Sequence, residues 1–224
     1  MNKLLVIIPY CTNDGAQAER LIDFIFTLND RNPSGHCLLV AAPEVHAEMK
    51  TKIQISAEVT FETSSMIEIG AWSKPSVIKP QKTNEIFEFA AKYIHEHSDW
   101  PFLWLEPDCA PLKAGWLDTL TAAYFNQPKK FFGSFMQFKL KRGDEEIKKI
   151  CMARVGIYPN DAADIMKLDF NSITPFEFPT CDRVIPKATK TWLIQQSNYR
   201  LATDKIKGES VLLHSDKNGL LLKV

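Results

Sequence analysis

The chain has 224 residues, 27 basic and 27 acidic, and 45% are hydrophobic. This length and apolar share predict one α/β domain over residues 1–224, or one domain with a small appendage. Zero net charge gives no overall electrostatic attraction to nucleic acids or membranes. The five cysteines include no Cys-x-x-Cys pair, which argues against a zinc cluster or a disulfide framework and favours a reducing, cytoplasmic location.

The first predicted element is a β-strand over the apolar residues 4–8, ending before Pro9. This apolar segment is too short for a signal peptide or a transmembrane span. A polar loop follows, and Asn13 or Asp14 is the predicted N-cap of an amphipathic helix. The loop contains neither G-x-G-x-x-G nor G-x-x-x-x-G-K-[ST], so the two commonest nucleotide-binding motifs are absent. The apolar face of this helix consists of Leu21, Ile22, Ile25 and Phe26.

The next predicted elements are two strands and two helices. Residues 36–42 form a second apolar strand, and Pro43 is the predicted first residue of a second helix. Residues 53–80 have a weak pattern, with a short strand at 59–63 and a long loop from residue 66. A third helix is predicted over residues 84–97, capped by Thr83.

The most informative stretch is residues 102–117. Phe102 to Leu105 form a wholly apolar run, as expected of a strand buried on both faces, and two carboxylates follow, Glu106 and Asp108. Residues two apart in an extended segment point to the same side, and Pro107 between them ends the strand. Two carboxylates at the carboxyl end of a buried strand are suited to Mg²⁺ or Mn²⁺, although a solvated turn is the simpler interpretation. A helix then follows, with one apolar face formed by Trp116, Leu117, Leu120 and Tyr124.

This order of features resembles the centre of GT-A-fold glycosyltransferases: an apolar strand, acid-x-acid, a short loop with proline, and Gly-Trp-Leu opening a helix. The resemblance implies a GT-A-type, Rossmann-like α/β sandwich with a mixed, mostly parallel central sheet flanked by helices. It also implies that Glu106 and Asp108 hold a divalent metal against the diphosphate of a nucleotide sugar. The usual motif is Asp-x-Asp, so Glu106 is a departure that leaves direct contact of both acids with the metal open.

The same resemblance implies a nucleotide-binding half over residues 1–126. Tyr10 and Thr12 correspond to the first nucleotide-contacting loop of the family, although a packed tyrosine and a capping threonine are equally good interpretations. Near the start of the third helix, Lys82 is expected at a phosphate and Asn84 at the ribose or base. The alternative for both residues is a solvated first helical turn.

Residues 127–224 are expected to build the acceptor half. Strands at 131–138 and 150–158 are predicted around a hairpin turn at 141–144, followed by a short helix from Asn160 to residue 166. Inverting members of the family carry a general base in the next region, where Asp182, or failing it Glu177, would take the proton from the acceptor hydroxyl. An N-cap or an ion pair is the alternative role.

The last predicted strand ends in His214, followed by a polar turn that contains Lys217. By resemblance, His214 is the third metal ligand and Lys217 offsets charge on the departing nucleoside diphosphate. A strand-end histidine in an ordinary turn is the alternative.

These features predict metal-dependent transfer of a sugar from a nucleotide sugar, a UDP- or GDP-sugar, to an acceptor hydroxyl, with Mn²⁺ or Mg²⁺ as cofactor. The acceptor is open among a glycan, a lipid, a protein and a modified DNA base, and the oligomeric state is not indicated. Two alternatives share the architecture, namely a non-catalytic nucleotide-sugar-binding module and a sugar-phosphate nucleotidylyltransferase. The second would carry a glycine-rich, arginine-containing loop after the first strand, which residues 9–15 lack.

Overall fold

The computed structural model of the chain describes residues 3–29, 31, 34–71, 79–142, 145–167, 175–196 and 208–214. Its strands are β1 Leu5–Tyr10, β2 His36–Ala41, β3 Thr63–Glu68, β4 Phe102–Trp104, β5 Ala110–Pro111, β6 Phe131–Arg142, β7 Glu145–Tyr158, β8 Ala188–Lys190, β9 Ile194–Gln196 and β10 Leu212–His214. Its helices are α1 Gly15–Leu28, α2 Ala47–Thr60, α3 Lys79–His97, α4 Trp116–Phe125, α5 Ala162–Met166 and α6 Glu177–Val184.

Within these ranges the strands form a seven-stranded sheet of order β3-β2-β1-β4-β7-β6-β8 and a three-stranded sheet of order β5-β10-β9. The pairs among β3, β2, β1 and β4 are all parallel, with α1, α2 and α3 as the connections that parallel pairing requires. Strand β7 is antiparallel to both β4 and β6, and β8 runs parallel to β6. The predicted mixed, mostly parallel α/β sheet flanked by helices is therefore confirmed.

The core lies around the two central strands. Phe102, Leu103 and Trp104 of β4 are fully buried, as the apolar run predicts. Phe87 of α3 packs edge-on against the Trp104 ring, with ring centroids 4.9 Å apart, and so fixes α3 on the sheet. The predicted apolar face of α4 is confirmed, since Trp116, Leu117, Leu120 and Tyr124 are its buried residues.

Strand β1 continues through Pro9 to Tyr10, two residues beyond the prediction. The reason is the side to which Pro9 points. The Leu105 N–H donates to the Ile7 carbonyl on the β4 side, and the Ala42 N–H donates to the Tyr10 carbonyl on the β2 side. Alternation places Pro9 on the β4 side, where β4 has already ended, so its missing N–H costs no ladder hydrogen bond.

Two helix starts differ from the sequence prediction. Helix α2 begins at Ala47 because residues 42–45 form a turn, in which the Val45 N–H donates to the Ala42 carbonyl. It then extends to Thr60, so residues 59 and 60 of the predicted strand are helical, and its narrow buried stripe gives little amphipathic signal. Strand β3 begins only at Thr63 and includes residues 66–68, which were predicted to lie in a long loop. Helix α3 begins at Lys79, so Thr83 lies inside the helix and is not its cap. Within the described ranges, no helix is both long enough and apolar enough to cross a membrane.

The predicted hairpin of β6 and β7 is confirmed, although residues 143 and 144 of its turn lie outside the described residues. The pairing is interrupted by a large β-bulge. Between the pairs Gly133↔Gly156 and Phe135↔Met152, β6 advances two residues while β7 advances four, so residues 153–155 stand opposite Ser134 alone. Bulges re-aim a side chain, and the residue at the centre of this bulge is Arg154. The Tyr158 hydroxyl donates to the Arg154 carbonyl at 2.6 Å.

The bulge depends on Gly156. A Cβ added there would lie 3.0 Å from the Phe132 carbonyl oxygen and 3.2 Å from Met152 Cε. We expect Gly156→Ala to lower the free energy of unfolding by about 1–3 kcal/mol through overpacking, measured by urea denaturation. Gly70→Ala is the control, because a Cβ at Gly70 meets no atom within 4 Å. Equal stability of the two variants would contradict this account of the bulge.

Candidate functional site

A cleft of about 690 Å³ opens where β1 and β4 end. Small-molecule sites typically span roughly 300–1,000 Å³, and in open α/β sheets they lie outside the carboxyl ends of the strands. Tyr10 and Asp14 line the cleft on the β1 side, and Lys82 lines it from α3. Glu106 and Asp108 lie where β4 ends.

Glu106, Asp108 and His214 converge beside this cleft, and we refer to them as the acid–histidine cluster. One ligand atom from each residue lies within 4.8 Å of the other two. His214 Nε2 is 2.8 Å from Glu106 Oε2 and 3.4 Å from Asp108 Oδ1. The three-stranded sheet explains why His214 lies beside the two acids. Strand β5 begins two residues after Asp108 and pairs with β10, the strand that ends in His214.

The orientation of His214 is set by Gln196. Strands β9 and β10 pair in parallel with His214 opposite Gln196, and His214 Nδ1 is 2.5 Å from Gln196 Oε1. An amide oxygen only accepts hydrogen bonds, so Nδ1 carries a hydrogen and donates it. Nε2 is then the nitrogen directed at the two carboxylates, which is the arrangement that outer partners of metal-bound histidines usually enforce.

The charges of the cluster are strongly coupled. Burial alone would raise the pKa of Glu106, but the Arg154 guanidinium and His214 lower it to about 2. Burial alone would lower the pKa of His214, but Asp108 and Glu106 raise it to about 9. The cluster thus holds a charged carboxylate and an imidazolium at neutral pH, a stable arrangement for the metal-free protein.

The donor set suits a divalent cation. Asp108 Oδ1 is buried and forms no hydrogen bond, and it lies 3.4 Å from His214 Nε2 as an ion-pair contact. A buried carboxylate oxygen without a hydrogen bond is costly unless a further partner is bound. Two carboxylates and one imidazole are ligands found around Mn²⁺ and related ions. Glu106, Asp108 and His214 therefore fit a metal on an observation independent of the acid-x-acid motif.

Arg154, like Gln196, is a residue of this site that the sequence prediction missed. Its Nη1 donates to Glu106 Oε1 at 3.0 Å and its Nε donates to Glu177 Oε1 at 2.7 Å. We call these two contacts the Arg154 bridge. The antiparallel register of β4 and β7 pairs Trp104 with Gly156, and continuing it by two residues places Glu106 opposite Arg154. One basic residue inside the apolar strand 150–158 was the available signal.

The residues predicted to contact the nucleotide lie in different surroundings. Tyr10 lines the cleft, but its hydroxyl is buried against Met66 Sδ at 3.0 Å, and burial raises its pKa. Lys82 lines the cleft and lies 3.6 Å from Glu44 Oε1. The Thr12 hydroxyl instead donates to the Glu44 carbonyl at 2.9 Å, and Thr12 is absent from the described lining of the cleft. Lys217 lies outside the described residues.

Asn84 lies in the protein interior. Only 3% of its surface is exposed, and its Oδ1 accepts a hydrogen bond from the Phe176 N–H at 3.0 Å. Phe176 in turn stacks on Phe87 and lies under the Arg154 guanidinium, 5.4 Å from ring centroid to Cζ. Asn84 therefore supports the segment that precedes Glu177. It is not among the described residues that line the cleft.

The two candidate general bases are both away from the described lining of the cleft. The Asp182 side chain is 74% exposed on α6 and forms an ion pair with Lys149. The hydrogen bond from Lys149 lowers the pKa of Asp182, which makes it a weak proton acceptor. Glu177 is buried and its Oε1 is held by Arg154. The geometry is that of an ion pair for each residue, the alternative role considered for Asp182.

Comparison with known proteins identifies the fold. No protein-family profile matches the sequence, and no curated protein matches it. Among solved structures, the bifunctional glycosyltransferase WbbM aligns with a TM-score of 0.64 at 10% identity, over 95% of this chain and 45% of WbbM. The chain thus spans less than half the length of WbbM. The galactosyltransferase LgtC aligns with a TM-score of 0.60 at 8% identity, over 94% of this chain and 86% of LgtC.

A nucleotidylyltransferase shares the architecture as well. A glucose-1-phosphate thymidylyltransferase described as putative, from Bacillus anthracis, aligns with a TM-score of 0.52 at 7% identity, over 84% of this chain and 86% of that protein. At identities this low, the structural alignments show a common fold and nothing about a shared activity. The activity has to be argued from the residues of the site. The expected GT-A-type fold is therefore confirmed.

The role of Asn84 is open to a direct test. Asn84→Ala leaves the buried Phe176 N–H without its acceptor, and we expect the free energy of unfolding to fall by about 1–3 kcal/mol. Urea denaturation measures the change, with Asn13→Ala as a control at an exposed cleft residue. If Asn84→Ala were as stable as the control, the buried hydrogen bond would not have the structural role described above.

Proposed function

We propose that this protein is a metal-dependent glycosyltransferase that moves a sugar from a nucleoside-diphosphate sugar to an acceptor hydroxyl. The observation that carries the proposal is the convergence of Glu106, Asp108 and His214 beside the cleft. The fold, shared with WbbM and LgtC, supports it.

The metal ligands in this proposal are Glu106 Oε2, Asp108 Oδ1 and His214 Nε2. Bound there, Mn²⁺ or Mg²⁺ would neutralise the diphosphate and stabilise the departing nucleoside diphosphate. Gln196 holds His214 with Nε2 facing the carboxylates, so the ligand nitrogen is oriented in advance. The imidazolium proton between Nε2 and Glu106 must leave before His214 can act as a ligand.

The remaining cleft residues bind the donor in this proposal. The side of the cleft formed by Tyr10 and Asp14 accommodates the nucleoside, and Lys82 lies at a position where it can approach a phosphate. Asp14 Oδ1 accepts the Cys11 N–H at 2.6 Å, which holds the loop between β1 and α1 in place. Lys217 follows His214 by three residues, and we propose that it offsets charge on the leaving group.

The two halves of the chain have different roles in this account. Residues 1–126 bind the UDP- or GDP-sugar, and residues 127–224 form the acceptor side while contributing Arg154, Gln196 and His214 to the site. The acceptor is a hydroxyl of a glycan, lipid, protein or modified DNA base. None of the five cysteines forms a disulfide, which supports a reducing, cytoplasmic location.

The nucleotidylyltransferase alternative is supported by the thymidylyltransferase alignment. The loop after β1 opposes it, because residues 9–15 contain no arginine and a single glycine. A nucleotidylyltransferase would release pyrophosphate from a nucleoside triphosphate and a sugar phosphate. A glycosyltransferase would release a nucleoside diphosphate from a nucleotide sugar, and a binding module would do neither.

The test is Mn²⁺-dependent release of nucleoside diphosphate from UDP- and GDP-sugars by the wild-type protein and by Asp108→Asn. We expect release by the wild type and a loss of about 100-fold or more in the variant, because even outer partners of a metal contribute 10–100-fold. Asp118→Asn is the matched control, since Asp118 is exposed in the first turn of α4. Equal release by wild type and Asp108→Asn would contradict the proposed site.

His214 provides a second, graded prediction. We expect His214→Ala to weaken Mn²⁺ binding less than Asp108→Ala does, because one neutral ligand is lost while both carboxylates remain. Isothermal titration of Mn²⁺ into each variant compares the two dissociation constants. An absent effect, or one equal to that of Asp108→Ala, would remove His214 from the proposed ligands.

A further inference from the structure

Arg154 binds one oxygen of the Glu106 carboxylate, and the other oxygen faces His214 in the acid–histidine cluster. Arg154 Nη1 binds Glu106 Oε1 at 3.0 Å, while Oε2 faces His214 Nε2 at 2.8 Å. The two oxygens of one carboxylate thus have separate partners on opposite sides. Side-chain exposure is only 20% for Arg154 and 17% for Glu106, so water competes little for this contact.

The Arg154 bridge is held from several directions. Glu177, 5% exposed, accepts Arg154 Nε at 2.7 Å and supplies the opposite charge on the far side. Phe176 lies under the guanidinium, and Asn84 holds the Phe176 N–H. The bulge fixes the backbone of Arg154 through the Tyr158 hydroxyl. A planar guanidinium with two carboxylate partners and a ring beneath it has little freedom to turn away.

We infer that Arg154 is a positioning residue that keeps Glu106 a monodentate metal ligand through Oε2 and thereby disfavours Ca²⁺ at the acid–histidine cluster. This inference rests on the proposed metal site. A glutamate in place of the usual aspartate has one more methylene and greater reach, so both of its oxygens could otherwise approach a cation. Arg154 removes Oε1 from that choice.

Denticity matters because divalent ions differ in the coordination they accept. Ca²⁺ takes 6–8 oxygen ligands, with bidentate carboxylates common, whereas Mg²⁺ requires near-ideal octahedral geometry and rarely uses such chelation. A site that withholds one carboxylate oxygen therefore loses more affinity for Ca²⁺ than for smaller ions. The ratio of the Ca²⁺ and Mn²⁺ dissociation constants reports this effect, and a purely structural role of Arg154 would leave the ratio unchanged.

The variant that isolates denticity is the double substitution Arg154→Met with Glu177→Gln. Arg154→Met alone leaves Glu177 as a buried carboxylate without its counter-charge, which typically costs about 3–5 kcal/mol and threatens folding. The double variant removes one positive and one negative charge, so the net charge near the cluster is kept. Arg154→Lys is the second variant, because lysine keeps the charge but lacks the planar fork.

Isothermal titration of Mn²⁺ and of Ca²⁺ into the whole chain measures the ratio, with no nucleotide present. We expect the ratio of the Ca²⁺ to the Mn²⁺ dissociation constant to fall by about tenfold or more in the double variant and by a smaller factor in Arg154→Lys. Lys149→Met is the control, since Lys149 lies on the same strand and pairs with the exposed Asp182. The control is expected to keep the wild-type ratio.

The possible outcomes separate this inference from the proposed function. A ratio that is unchanged in both Arg154 variants, while the wild type binds Mn²⁺, overturns the role of Arg154 and leaves the metal site intact. Failure of the wild type to bind either cation overturns the metal site and the role of Arg154 together. A fall in the ratio in the Arg154 variants, with the control unchanged, supports the role of Arg154.

Discussion

The ion pair between Glu106 and Arg154 is the interaction on which the site depends. Glu106 follows a fully buried strand and is 17% exposed, a position in which burial alone raises the pKa of a carboxylate. Arg154 and His214 instead keep it charged from opposite sides. Breaking a buried pair costs far more than breaking a surface pair, so this contact holds the end of β4 against β7. The contact of His214 with the other oxygen of Glu106 adds β10 to the same point.

The topology explains why three distant parts of the sequence meet at this point. Glu106 and Asp108 follow the carboxyl end of the central strand β4. The antiparallel register of β4 and β7 places Arg154 opposite Glu106, and the pairing of β10 with β5 brings His214 to the same point. Arg154 lies at the centre of the bulge at residues 153–155, and the facing Gly133 and Gly156 make room for that bulge. Fold and site are thus coupled through one segment of β7.

Much of this could be predicted from the sequence, because the signals were local. The apolar run before Glu106 and the apolar face of α4 follow from period and burial alone, and both are confirmed. The resemblance placed His214 with the two acids, and the structure brings the three side chains together. Arg154 was missed because its partner is set by strand register, which no local pattern encodes. Asn84 was expected at the nucleotide by resemblance, with a solvated first helical turn as the alternative. The structure instead begins α3 at Lys79 and buries Asn84, a position that depends on where the helix starts.

The most direct measurement is a crystal structure of the protein grown with Mn²⁺ and a nucleoside diphosphate, with anomalous data collected at the manganese edge. We expect one anomalous peak bounded by Glu106 Oε2, Asp108 Oδ1 and His214 Nε2, with the diphosphate on its open side and Glu106 Oε1 still bound by Arg154. A peak elsewhere in the cleft, or bound nucleotide with no manganese beside these three residues, would contradict it.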